Sequence, residues 1–197
     1  AAKLIGRGGF SDHNNALKTG FDPAAEAWPE WLGQCQFNTG LLPEVRPVGA
    51  QLAAINPQVA AELGLPRTAI IHAGTTDSIA AFLACAPLQE GAAVTSLGTT
   101  LAVKLLSPIR IDDPEIGLYS HRIGDIWLVG GASNTGGGVL LDHFTPEQIA
   151  ALSARINTKQ PTGLKYYPLS KPGERFPVFD PNFTGCLSPR PEDEVMF

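Results

Sequence analysis

Apolar positions in this chain follow two periods, and Gly and Pro mark where one gives way to the other. Residues 1–20 are Gly-rich and then polar, a loop running into a short helix. Asp22-Pro23 supplies an N-cap and a first-turn proline, and Trp28, Trp31 and Leu32 continue at helical spacing, which predicts a helix from Asp22 through Leu32. Asn56-Pro57 opens a second helix that Gly64 and Pro66 close. Thr68–Ala73 reads as a short strand, and Gly74-Thr75-Thr76-Asp77-Ser78 caps a helix over Ile79–Cys85. Two hairpins follow: Ala92–Leu97 with Leu101–Leu106 through Gly98-Thr99-Thr100, and Leu118–Ile123 with Ile126–Val129 through Gly124-Asp125. Gly136-Gly137-Gly138 leads into apolar Val139-Leu140-Leu141, and Thr145 with Gln148 forms a capping box. Residues 161–191 are rich in Pro and Gly with little regular structure, and Pro191 with its following acids starts a last helix.

Composition narrows the classes. The 197 residues carry 14 Lys and Arg against 19 Asp and Glu, a net charge of −5, with 44% hydrophobic residues. That length allows one domain or two small ones, and the apolar content argues against disorder. The acidic balance argues against a partner recognised through its phosphate backbone, so no nucleic acid is expected. Cys35, Cys85 and Cys186 contain no Cys-x-x-Cys pair and are odd in number, which fits buried free thiols in a reducing cytoplasm. The longest apolar stretch, Thr68–Leu88, is broken by His72 and Asp77, so no membrane span is expected, and the first residues carry no secretory pattern. A chain that begins in a Gly-rich loop and stops one turn into a helix reads as a piece of something longer.

Candidate chemistry is sparse and each candidate has an ordinary structural reading. Spacing alone makes Asp12 the cap of the following turn; its neighbours His13, Asn14 and Asn15 are polar groups suited to recognising hydroxyls. Gly98-Thr99-Thr100 is either a plain hairpin turn or a place where backbone N–H groups and hydroxyls hold an anion. Asp77 is a helix cap or a group that positions metal-bound water, and Gly136 opens a helix whose N–H groups point outward. His72 reads as a core histidine, while His121 and His143 lack metal-ligand spacing, so no protein metal cluster is expected. Trp28 and Trp31 read as core, Cys85 as packing, and Glu174-Arg175 as a local ion pair holding the Pro-rich loop. Neither a dinucleotide fingerprint nor a Gly-x-Ser-x-Gly elbow is present.

Three ordered stretches resemble the FGGY family of carbohydrate kinases. Ser11-Asp12-His13-Asn14-Asn15-Ala16 is similar to the family's Ser/Thr-Asp-x-x-Asn-Ala segment. Gly74-Thr75-Thr76-Asp77 followed by Ser96-Leu97-Gly98-Thr99-Thr100 is similar to its Gly-x-x-Asp helix and phosphate hairpin. Gly130-Gly131 through Gly136, with Gly173-Glu174-Arg175-Phe176-Pro177, is similar to its Gly-rich helix start and Gly-Glu-Arg-x-Pro loop. The resemblance implies an α/β protein of the actin-like, ribonuclease-H-like ATPase fold, with parts of two domains and a cleft between them. Residues 1–66 would end the sugar-binding domain and 67–197 would begin the nucleotide-binding one. It implies ATP with Mg²⁺, Asp12 as general base, Asp12, His13 and Asn14 at the sugar, and Asp77, Gly98, Thr99, Thr100 and Gly136 at the nucleotide. The implied acceptor is a small ketose, D-ribulose or D-xylulose, in a cytoplasmic enzyme for which a homodimer stays open. The rival readings are a glycerol or other polyol kinase, an actin-like or heat-shock-chaperone-like ATPase without a sugar acceptor, and a non-enzymatic relative. The family's Asp-x-Gly-Thr loop and later adenosine loop are absent from these residues, so they are not expected to turn over alone.

Overall fold

The computed structural model describes residues 1–161 and 166–186; the helix expected at Pro191 lies outside them. The chain divides into two compact units. The first comprises Ala1–Ala92, Leu106–Arg110 and Ser120–Leu128; the second comprises Ala93–Leu105, Ile111–Tyr119 and the residues from Val129 onward.

In the first unit, α1 (Ala2–Ile5) precedes β1 (Phe10–Asp12), which runs directly into α2 (His13–Leu17). The short β2 (Glu44–Arg46) lies parallel to β1, with Asp12 opposite Arg46. An antiparallel pair, β3 (Gln51–Ala54) and β4 (Ile70–His72), brackets α3 (Pro57–Leu63), and α4 spans Asp77–Cys85. The sequence signals for α3 act as expected. Asn56 Oδ1 accepts from the Gln58 and Val59 N–H groups at 2.9 and 3.4 Å, and Gly64 ends the helix with φ of 66°. Ile55, Ala60, Ile79 and Phe82 are buried, joined by Leu106, Ile123 and Leu128 from the later segments.

The helix expected from Asp22 through Leu32 does not form. Asp22 Oδ1 accepts from Ala24 N–H at 2.8 Å, a local turn that competes with a helical start. Glu26 has φ of +52°, and Asp22 and Ala27 bond backbone to backbone. Pro29 disfavours helical geometry at Trp28, and only a 3₁₀ stretch, Glu30–Gln34, follows. Trp28 packs edge-on against Phe21 at 5.2 Å, whereas Trp31 is exposed rather than core.

The second unit holds the antiparallel hairpin β5 (Ala93–Leu97) and β6 (Leu101–Ser107), paired from Ala93 with Leu105 to Leu97 with Leu101. With β7 (Tyr119–Ile123) and β8 (Ile126–Ala132) the strand order is β5-β6-β8-β7, both hairpins standing where turn chemistry puts them. Strands β6, β7 and β8 each contribute residues to both units. The helix start expected at Gly136 is present, with Gly136 as the N-cap of a 3₁₀ helix over Gly137–Asp142. Then α5 (Pro146–Ser153) begins with its capping box intact, Gln148 N–H on Thr145 Oγ1 and Thr145 N–H on Gln148 Oε1.

Two further expectations change. Cys35, Cys85 and Cys186 are free but exposed, not buried. His72 is also exposed, its Nδ1 lying 2.8 Å from the Gly49 carbonyl. No helix among the described residues is long and apolar enough to cross a membrane.

Two turn glycines separate backbone strain from overlap. Gly124 has φ of +59° and open space where a Cβ would stand, while Gly117 has φ of +69° and its Cβ would fall 1.7 Å from the Arg175 carbonyl oxygen. Gly124→Ala is expected to cost about 1 kcal/mol from left-handed strain, and Gly117→Ala about 3 kcal/mol, because strain and overpacking add. Urea unfolding of the two variants measures the difference.

Candidate functional site

The residues singled out by sequence fall into two groups, one in each unit. In the first, β1 delivers Asp12 to the start of α2 as its N-cap. Asp12 Oδ1 accepts from the N–H groups of Asn14 and Asn15 at 3.0 and 3.1 Å, and Oδ2 accepts from Asn15 Nδ2 at 2.6 Å. The carboxylate is buried, but the Asn15 side chain that holds Oδ2 belongs to an exposed residue.

Asn14 is fully buried and its amide is committed to the protein. Nδ2 donates to Thr75 Oγ1 at 3.1 Å and to the Arg122 carbonyl at 3.0 Å, while Oδ1 accepts from Arg122 N–H at 3.1 Å. This one side chain ties α2 to the Gly74-Thr75-Thr76 loop and to β7. Both of its donors are occupied, which suits a positioning group better than the hydroxyl reader its polarity suggests. Arg122, which the sequence did not single out, anchors the same region: its guanidinium donates to the Pro23 carbonyl and pairs with Glu26 at 2.9 Å.

His13 is buried and stacks on Phe21 with ring centroids 5.8 Å apart. Burial, with the Arg122 cation adding to it, pushes its imidazole below the usual value, so the ring is neutral at pH 7. Asp77 is exposed at the first position of α4, where its Oδ1 accepts from Ser78 N–H at 2.8 Å.

In the second unit the structure brings two Gly-rich motifs together. Gly137 N–H donates to the Gly98 carbonyl at 2.8 Å and Gly138 N–H to the Thr99 carbonyl at 3.2 Å. A Cβ on Gly136 would lie 2.6 Å from both Thr100 Cα and the Thr99 carbonyl oxygen. Only glycine permits this backbone-on-backbone approach. Thr99 and Thr100 are exposed, and neither hydroxyl has a hydrogen-bond partner among the described residues. A tip of this kind, with free donors and no acidic side chain on it, suits an oxyanion.

Glu174 is not the half of an ion pair that its sequence suggests. It is buried, and its oxygens accept from two side-chain hydroxyls and three backbone N–H groups. Arg175 contributes its backbone N–H. The signal that could have found it is the pairing of a lone Glu with a following Gly- and Pro-rich loop that has few other means of being fixed.

Among the described residues no cluster of three or more His, Cys, Asp or Glu side chains could hold a metal ion by itself. A divalent cation arriving with a nucleotide needs only one or two protein carboxylates, and exposed Asp77 fits that requirement.

Neutral, buried His13 gives a pH dependence of known sign. The unfolded chain binds its proton near the usual value of 6.5, the folded chain only below that. Stability is therefore complete above that value and falls as the pH drops through the lowered folded value. His13→Phe is expected to flatten this slope, as measured by thermal melts between about pH 7 and pH 5.

No family model matches the sequence. Solved structures match in fold. A xyloylose kinase from Brucella ovis superposes with a TM-score of 0.83 at 19% identity, over 99% of this chain and 43% of its own. A gluconate kinase from Lactobacillus acidophilus gives 0.75 at 20% identity, over 99% and 42%. A ligand-bound xylulose kinase from the same organism gives 0.74 at 19%, over 99% and 42%. The chain thus spans less than half the length of these proteins. The likeness is one of fold: the α/β architecture of this chain matches a portion of the actin-like fold of these sugar kinases.

Proposed function

We propose that the chain is part of a kinase that transfers the γ-phosphoryl group of ATP, with Mg²⁺, to a hydroxyl of a small ketose, a pentulose such as D-xylulose or D-ribulose. The observation that carries the proposal is the fold match to sugar kinases over nearly the whole chain, with a buried capping carboxylate, Asp12, at the strand-to-helix junction. A gluconate kinase is similar to a comparable degree, so a non-ketose polyol or sugar acid is the second reading.

Each residue has a physical role in this proposal. Attack of a sugar hydroxyl on phosphorus releases a proton, and Asp12 accepts it. Two backbone N–H groups fix Asp12 Oδ1, while the exposed Asn15 amide on Oδ2 can give way to a substrate hydroxyl. His13, neutral, and Asn14, buried, hold this corner in place for the sugar. Gly98, Thr99, Thr100 and Gly136 form the anion-holding tip, and Asp77 offers a carboxylate to the metal that comes with the phosphates. Mg²⁺ supplies charge neutralisation on the phosphates when bound. Residues 1–66 belong on this reading to the sugar-binding domain and 67–197 to the nucleotide-binding one. The three free thiols suit a cytoplasmic enzyme.

The test uses the complete gene product and follows ADP release from MgATP with D-xylulose, D-ribulose, gluconate or glycerol. Release that depends on a pentulose supports the first reading, and release only with gluconate or glycerol supports the second. Release that needs no acceptor means an ATPase. Asp12→Asn, which keeps a competent helix cap, is expected to lower kcat by about 10²–10⁴-fold while nucleotide affinity stays unchanged. Thr99→Val is expected to raise KM for MgATP about tenfold and leave KM for the sugar unchanged, because it removes one hydroxyl from the anion-holding tip. Initial-rate kinetics with each substrate varied separately reads both outcomes.

A further inference from the structure

We propose that Glu174 is a positioning residue for the phosphate-holding tip, setting its backbone through Ser133 and Thr135. The inference rests on the kinase reading above and adds a residue to it.

The geometry is continuous within the second unit. Ser133 Oγ and Tyr167 OH both donate to Glu174 Oε2 at 2.6 Å. Asn134 and Arg175 N–H donate to Oε1 at 2.7 Å, and Phe176 N–H donates to it at 3.3 Å. Ser133 Oγ in turn accepts from Thr135 N–H at 3.1 Å. Ser133 N–H donates to the Leu101 carbonyl at 2.9 Å, and Leu101 N–H to the Thr135 carbonyl at 2.7 Å. Leu101 directly follows Thr100, and Gly136 directly follows Thr135. The carboxylate therefore fixes the residues that flank both halves of the tip.

Five neutral donors converge on this one buried carboxylate. Burial alone would raise the Glu174 pKa; the hydroxyls of Ser133 and Tyr167 and the N–H groups of Asn134 and Arg175 outweigh it and hold it at about 2. The group stays an anion at working pH, and charge-assisted hydrogen bonds hold these N–H and O–H dipoles more strongly than a neutral acceptor would. Asn134 Nδ2, bonded to the Gly173 carbonyl at 3.0 Å, closes the same connection from the other strand of the loop.

The experiment compares the full-length gene product with its Glu174→Gln and Ser133→Ala variants. In Glu174→Gln the amide oxygen can still accept from the three N–H groups, but its NH₂ meets the Ser133 and Tyr167 hydroxyls where Oε2 had accepted from them, so the loop stays folded while the hold on Ser133, and through it on Thr135, is weakened. The expected result is a rise of about tenfold in KM for MgATP, with KM for the sugar unchanged. Ser133→Ala cuts only the link to Thr135 and is expected to give a smaller rise in the same constant; it decides the matter if Glu174→Gln does not fold. Unchanged KM for MgATP in the folded variants overturns the inference, as does a loss of thermal stability with both KM values intact, which would mark a purely structural group. A wild-type protein with no acceptor-dependent turnover overturns the kinase reading and this inference with it, and shows itself before any substitution is made.

Discussion

A buried side chain with more hydrogen-bonding capacity than its own segment can satisfy must find partners elsewhere in the chain, and two such side chains organise this protein. Asn14 has no exposure and reaches Thr75 and both backbone groups of Arg122. Glu174 does the same for the second unit, with a charge in place of an amide. Leaving any of these partners unpaired costs about 1–3 kcal/mol, so each side chain constrains segments far apart in sequence with little tolerance for alternatives. The apolar core gives cohesion without direction. These polar groups decide which loop ends meet.

The meeting of loop ends also depends on the absence of side chains. Gly136 lies against Thr100 so closely that a Cβ would overlap its Cα, and Gly137 and Gly138 bond to the carbonyls of Gly98 and Thr99. The Gly98 and Thr99 carbonyls are occupied by the glycine run, and the Thr99 and Thr100 residues stay exposed. Any anion held there would be met by backbone N–H groups and hydroxyls, since no Lys or Arg stands among Gly98, Thr99, Thr100 and Gly136.

What the sequence made legible was local. Helix α3, the capping box of α5 and both hairpins depend on residues within a few positions of each other, and turn and cap chemistry located them. The helix over Asp22–Leu32 failed because a periodic stripe carries no information about Glu26 adopting positive φ or Asp22 closing a turn on Ala24. The parallel pair β1–β2 joins three-residue strands across a long intervening segment, beneath what periodicity resolves. Within the candidate site, Asp12 and the Gly98–Thr100 tip were visible as motifs. The partners of Asn14 and Glu174 were not, because each bond spans tens of residues and a Glu beside an Arg looks like an ion pair until its oxygens are located.

The two readings of Asp12, helix cap and general base, are compatible on physical grounds. A proton acceptor works only if its lone pair is aimed before the substrate arrives, and a free surface carboxylate would lose that aim to rotation. Capping supplies the aim: two N–H groups fix Oδ1, and the β1 backbone fixes the residue itself. The remaining oxygen is held by a single exposed amide, a bond that another donor can replace at little cost because Asn15 returns to water. On the proposed reading, a sugar hydroxyl is that donor. On that reading the cap also prepares the base, and the residue that most resembles ordinary helix punctuation is the one proposed to accept the proton.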